Sequence, residues 1–249
     1  ALATDLAIID GKTASKVKVD AAKVTGEFAD LNTLYYTNKA NFSNLGNENV
    51  DITPGLNDSA LNVDTILKAT TGKVTAKVDE AKANILVSQL KNANAKDDLT
   101  ITVLKDANGT SAKDLIALTK KTFNAVVATD IVAEGIVGSV ADINAVIKAG
   151  LDTKLTLHAD VAYTVTGTIT AAQADAISKA TNGGLVTATI AADTAEKLND
   201  ALTDTVGTNA YKLTVNGATA SQADLASLAT TAGAAGEIKV DAKEITVDD

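Results

Sequence analysis

Cysteine, methionine, tryptophan and arginine are absent from the 249 residues, proline occurs once, at Pro54, and histidine once, at His158. Without cysteine there is no disulfide framework and no thiolate metal site. With one histidine, neither a histidine-based zinc site nor a Ser–His–Asp relay can be assembled away from His158. Aromatic residues make up 3% of the chain while apolar residues make up 46%, mainly Ala, Val, Leu and Ile. A single compact core of this length ordinarily uses more aromatic volume, so small aliphatics suit a thin, repeated core. Positive charge is also scarce: the net charge is -9 and the sequence pI about 4.6. That argues against binding to a nucleic-acid backbone or docking on anionic membrane, both of which need a basic surface. No run of 18 apolar residues occurs, so no membrane span is expected, and no secretory leader is visible. A first residue Ala1 with no methionine anywhere, and a strand-like EITVDD at the end, lead us to expect a segment of a longer chain.

What is present is repetition. Strand-like runs occur at 16–21, 73–78, 99–104, 123–129, 154–159, 163–170, 184–190, 211–217 and 237–242. Helix-like runs lie between them at 59–69, 79–93, 111–121, 139–149, 170–180, 194–204 and 221–229. Ser111, Ser139, Thr170, Thr194 and Ser221 open helices, where a hydroxyl can accept from a free backbone N–H. Asp114, Asp142, Asp175, Lys197 and Asp224 align as one early helical position, read as capping and solvation.

The strands share an apolar–X–apolar unit with X outward. X is Thr75, Thr102, Thr156, Thr187 and Thr214, and becomes Lys18 and Lys239 at the two ends, where KVDA occurs at 18–21 and 239–242. In YTVTGTIT, 163–170, Thr164, Thr166, Thr168 and Thr170 are expected to form one row of hydroxyls. β-branched threonine is a good exposed strand residue. The alternative use of such a row is a recognition lattice for ice or polysaccharide.

Strands alternating with helices every ~22–33 residues imply right-handed crossovers and parallel pairing. Because the strands alternate rather than run continuously apolar, one sheet face is expected to be open. The expected fold is therefore a right-handed parallel α/β solenoid of leucine-rich-repeat-like strand–helix units. A (β/α)8-like barrel is the alternative at this length. The chain reads as a single array over 1–249, with an irregular portion at 1–58 and regular repeats at 59–249. Residues 130–138 are off-pattern. The runs at 154–159 and 163–170 lie too close for an intervening helix, giving either one bent strand or a repeat lacking its helix.

Chemistry-bearing motifs are few. His158 follows Thr156 by two and reads as a surface residue or, functionally, as a general base or pH-sensitive contact. There is no phosphate-binding glycine loop. Asp106 and Asn108 in DANGT, and Asn47 and Asp51 in NLGNENVD, are turn-like segments with the oxygen ligands calcium prefers, although neither has EF-hand spacing. Asn41, Asn57 and Asn108 stand in Asn-x-Ser/Thr sequons.

Residues 165–233 resemble the repeats of very large secreted surface proteins of bacteria, including cyanobacteria, of the S-layer, adhesin and motility-associated kinds. TAAQADAI at 170–177 and ASQADL at 220–225 carry the likeness. The resemblance implies an extracellular structural or adhesive role and supplies no catalytic residue. The resulting expectations are self-association into a polymer or lattice, contact with surface polysaccharide, no enzymatic activity, no nucleic-acid partner, no membrane insertion and no cofactor beyond possible calcium. A carbohydrate- or ice-binding module using the threonine rows is the second reading, and a polysaccharide lyase or hydrolase the third.

Overall fold

A computed structural model describes every residue except 54–57, 182, 204–208 and 248–249. Pro54 and the Asn57 sequon lie outside the described residues. The chain begins with α1 (Ala3–Asp10), β1 (Val17–Lys18), β2 (Lys23–Gly26), α2 (Phe28–Asn32), β3 (Phe42–Ser43), β4 (Asn49–Ile52) and α3 (Ala60–Ala69). It continues through β5 (Val74–Lys77), β6 (Ala81–Lys82), α4 (Ala83–Gln89), β7 (Asp98–Thr100), β8 (Val103–Leu104), β9 (Thr110–Ser111), α5 (Ala112–Leu118) and β10 (Val126–Ala128). Then come β11 (Ile136–Gly138), α6 (Val140–Leu151), β12 (Leu155–Leu157), β13 (Tyr163–Ile169), α7 (Ala171–Ala180), β14 (Val186–Ile190) and α8 (Ala195–Ala201). The last elements are β15 (Asn209–Val215), β16 (Thr219–Ser221), α9 (Gln222–Ala232), β17 (Glu237–Val240) and β18 (Glu244–Thr246).

The chain divides into two compact units. The first comprises residues 1–104, 117–127 and 153–156; the second comprises 105–116, 128–152 and 157–249. In the first, β2-β4-β5-β7 form a parallel four-stranded sheet. Its inner face is a spine of small aliphatics: Val24, Val50 and Val74 stand in register, followed by Ala76 beside Leu99. All five are buried, as are Val63, Ile66 and Leu86 of the helices behind them. In the second unit, β17-β15-β14-β13-β11-β9 form a parallel six-stranded sheet. Its inner face carries Ile136, Val165, Val186, Ala188, Leu213 and Val215, all buried. Each sheet is open, and no closed barrel exists among the described residues, so the barrel alternative is set aside. What a barrel needs is inward bulk at every second residue; here the opposite positions of the first unit's sheet carry Thr25, Asp51, Thr75 and Asp98, polar and none of them buried.

The helices start where their hydroxyls predict. Ser111, Ser139, Thr170, Thr194 and Ser221 each accept a hydrogen bond from the N–H three residues on. At Thr170 the bond is reciprocal, with the Gln173 side chain accepting from the Thr170 N–H at 3.0 Å. This corrects the alignment of the early aspartates: Gln173, not Asp175, is the equivalent of Asp114, Asp142, Lys197 and Asp224. Asp175 lies two residues deeper, where its carboxylate accepts from the Thr203 N–H at 2.8 Å and from Lys179 at 2.6 Å.

Within the irregular portion, residues 1–53 carry regular elements from α1 to β4. After α2 the helix widens to a π-turn over Thr33–Thr37, then a 3-10 turn over Lys39–Asn41. This buries Leu31 and Leu34 together with the aromatic rings of Tyr35 and Phe42. Residues 154–170 form two strands, β12 and β13, with a turn and no helix between them. The expected helix at 79–93 begins only at Ala83, because Ala81 and Lys82 pair with Val103 and Leu104.

Candidate binding face

The outward positions of the first unit's sheet form register rows. Thr25, Asp51, Thr75 and Asp98 stand side by side on β2, β4, β5 and β7. The expectation of threonine alone is thus corrected: hydroxyl and carboxylate alternate along this row. Adjacent strands lie ~4.8 Å apart, so Asp51 and Asp98 are separated by about two strand spacings, with Thr75 between. Lysines answer them. Lys23 reaches Asp51 at 3.1 Å and Lys73 reaches Asp98 at 3.2 Å. Asn124 also donates to Asp98 at 2.7 Å, and this bond, then Lys73, holds the Asp98 carboxyl below its ordinary range. The face is a mosaic of paired charges and hydroxyls. Thr102, between buried Ile101 and Val103, continues the outward pattern, and Thr156 is exposed.

On the second unit's sheet, Val137, Thr164, Thr187 and Ala210 form one row, and Thr168, Thr189, Lys212 and Glu237 form another. Thr214 stands beside Lys239. All the threonines proposed as contacts (Thr75, Thr102, Thr156, Thr164, Thr166, Thr168, Thr187 and Thr214) are half-buried or exposed, and none is buried. Within YTVTGTIT the simple row fails. Thr164 pairs with Thr187 but Thr168 pairs with Thr189, so β13 spends four residues where β14 spends two. The extra length bulges outward at Thr166 and Gly167, and Gly167 has φ +82°, which glycine adopts without strain. Thr170 leaves the strand to cap α7. A flat hydroxyl lattice is therefore interrupted at its richest stretch.

His158 is not on an outward strand position. It follows the end of β12 in a turn, half-buried, with Nδ1 accepting from the Asp160 N–H at 3.1 Å. It lines a cavity of about 170 Å³ with Ile147, Leu151, Leu157, Val161 and Tyr163, an apolar setting. Burial raises the Tyr163 hydroxyl to about 12. A base used by an enzyme needs an acceptor lone pair aimed at substrate. Here the Nδ1 lone pair is engaged by the backbone.

The calcium candidates separate. The Asp106 carboxylate accepts from the Asn108 N–H at 3.1 Å, and the Asp106 carbonyl accepts from the Gly109 N–H at 2.9 Å, an ordinary side-chain-stabilised turn. Asp51 lies on the sheet face with Lys23. Asn47 lines a different cavity of about 320 Å³ with Asp20, Asn44 and Glu48. No group of three or more acidic or histidine side chains converges among the described residues.

Three buried carboxylates escaped the sequence reading: Asp97, Glu48 and Asp64, the last accepting from the Asn92 N–H at 2.7 Å and from its side-chain amide at 2.8 Å. Asp97 has no exposed surface; its oxygens accept from the Val74 and Asn94 N–H groups, each at 3.0 Å. Glu48 is buried too and accepts from the Gly46 and Asn47 N–H groups and from the Tyr35 hydroxyl. Burial first, and the Glu48 bond second, push the Tyr35 hydroxyl far above its ordinary range. Glu48 and Asp97 each sit just before a strand, β4 and β7 respectively. Thr122 does the same work with a hydroxyl, accepting from the Leu99 N–H at 3.0 Å and donating to the Leu99 carbonyl at 2.8 Å. The available signal was a polar residue one to four positions before each strand, a cue too general to single these out.

No protein-family model, curated protein or solved structure matches the chain.

Proposed function

We propose that the chain is a segment of an extracellular structural or adhesive protein, of surface-layer, filament or adhesin kind. It acts by self-association and by contact with cell surface or glycan. In this reading the coils of both units belong to one right-handed parallel α/β solenoid. The observation that carries it is the outward register row, Thr25–Asp51–Thr75–Asp98, backed by a buried valine spine. Such a face alternates hydroxyl and carboxylate on strands spaced ~4.8 Å apart, suited to a repetitive neighbour rather than to a single small substrate. The resemblance of 165–233 to secreted bacterial surface repeats points the same way.

Imaging of purified chain by negative stain, with and without calcium, tests the reading. Sheets or filaments support it. A chain that stays monomeric at high concentration and shapes ice crystals or binds soluble polysaccharide instead assigns the rows to ligand recognition. The account makes His158 dispensable, so His158→Ala should leave assembly unchanged.

A further inference from the structure

We propose that the cavity between the C-terminal ends of α6 and α7 binds a small neutral ring compound carrying one oxygen, of about the size of phenol. The proposal goes beyond the self-association reading and does not rest on it. The cavity has a volume of about 170 Å³, and every lining residue falls within 147–181, inside the second unit. β13, which supplies Tyr163 to it, is paired on both sides, with β11 and with β14. Gly150 and Leu151 close α6, Ala180 closes α7, and Thr181 follows. On the remaining side the chain passes from β12 to β13 by a turn, so His158, Ala159 and Val161 stand where other connections place a helix. Gly150, Ala159 and Ala180 have too little volume to close the gap that larger side chains would fill.

Tyr163 points to a ligand. It opens β13 on the inner face, in register with Ile136 and Val186, and is 3% exposed. A buried tyrosine hydroxyl ordinarily has a hydrogen-bond partner. Buried Tyr35 donates to Glu48 and buried Tyr211 to the Ala174 carbonyl, but the Tyr163 hydroxyl has no partner among the described residues. Nor is it sealed off: among the described residues, Thr110 holds the one side-chain oxygen that is both fully enclosed and unpartnered. The Tyr163 hydroxyl therefore keeps contact with solvent, through the cavity it lines. Burial raises it to about 12, so it stays protonated and able to donate. His158 offers a second donor: Nδ1 accepts from the Asp160 N–H, which leaves the ring proton of the neutral imidazole on Nε2. The Thr181 hydroxyl already donates to the Ser178 carbonyl at 2.8 Å. Ile147, Leu151, Leu157 and Val161 make the remaining walls apolar, and among the described residues no Lys, Asp or Glu lines the cavity. An ionised ligand would lose its hydration there without a charged partner. A neutral ring loses only apolar surface, and its single oxygen accepts from Tyr163. Size agrees, since a cavity of ~150 Å³ lined by aliphatic and aromatic side chains takes up benzene.

Phenol, benzene and benzoate are the probes, and saturation-transfer NMR observed on the probe reads binding whatever the assembly state of the chain. Phenol is expected to bind saturably, with a Kd on the order of 1 mM or tighter, and to be displaced by benzene. Benzoate should not bind. Tyr163→Phe keeps the ring and removes its oxygen, so it should weaken phenol roughly three- to tenfold and leave benzene unchanged. Ala180→Leu, at an exposed position on the cavity wall, fills the space and should abolish binding of both. Circular dichroism of each variant checks that the fold is kept. If phenol does not bind, if benzoate binds as tightly, if Ala180→Leu still binds, or if Tyr163→Phe holds phenol as well as the unmodified chain does, the inference falls. None of these outcomes bears on assembly, so failure of this site and failure of the self-association reading are distinguishable.

Discussion

A buried carboxylate ordinarily needs a cation, yet Asp97 and Glu48 accept from backbone N–H groups at turns just before strands. Removing such an acceptor strands buried donors, each worth ~1–3 kcal/mol. Asp97→Ala should therefore destabilise by about 2–4 kcal/mol in denaturant unfolding. Thr75→Ala, outward on the same sheet, should stay within ~0.5 kcal/mol. Acid should act through the exposed carboxylates. Asp98 is lowered by Asn124 and Lys73, Glu134 by Lys105, and Asp193 by the Thr194 N–H and Lys197. Each group's folded value lies below its unfolded value, so its contribution is present above the ordinary carboxylate range and lost as pH falls through the folded value. Asp58, raised mainly by burial, works in the opposite sense. Asp20, lowered by Lys18 and Asn44, adds to the first group; four against one, the thermal midpoint should fall on acidification from about pH 5 to about pH 2. The outward threonines were legible because alternation is local; the buried carboxylates were not, because a long-range backbone donor leaves no mark on the acceptor's neighbours.

Among the elements, the caps are the most legible. A hydroxyl followed by an aliphatic pattern located α6, α7 and α9 within a residue at their starts. Thr170→Ala breaks the reciprocal cap with Gln173 and should destabilise by ~1 kcal/mol. The short strands β6, β9, β11 and β16 were not legible. Two or three residues are too few to show a period of two, and only their pairing partners define them. The bulge in β13 was missed for the same reason: Gly167 marks it, but the mismatch belongs to β14. The glycines separate two effects. At Gly167 nothing lies within 4 Å of an added Cβ, so Gly167→Ala meets only the positive φ, ~1 kcal/mol. At Gly233, φ +80°, an added Cβ runs into the Asn209 backbone, so Gly233→Ala should cost more than ~2 kcal/mol. Chemical denaturation of the two variants side by side checks the order.

For the whole molecule, the expectation of parallel strand–helix repeats holds as parallel sheets backed by helices in each of two units. Pattern alone could not assign which strands join which sheet. The number of strands between successive helices changes along the chain, and sheet membership depends on pairing partners far away in sequence. What the architecture offers function is repetition of an outward face, and the account's central claim is that this makes the chain assemble. Analytical ultracentrifugation over a wide concentration series tests that claim most directly. The account predicts an average mass that climbs with concentration well beyond the 25.3 kDa monomer. A single 25.3 kDa species up to the highest soluble concentration would contradict it.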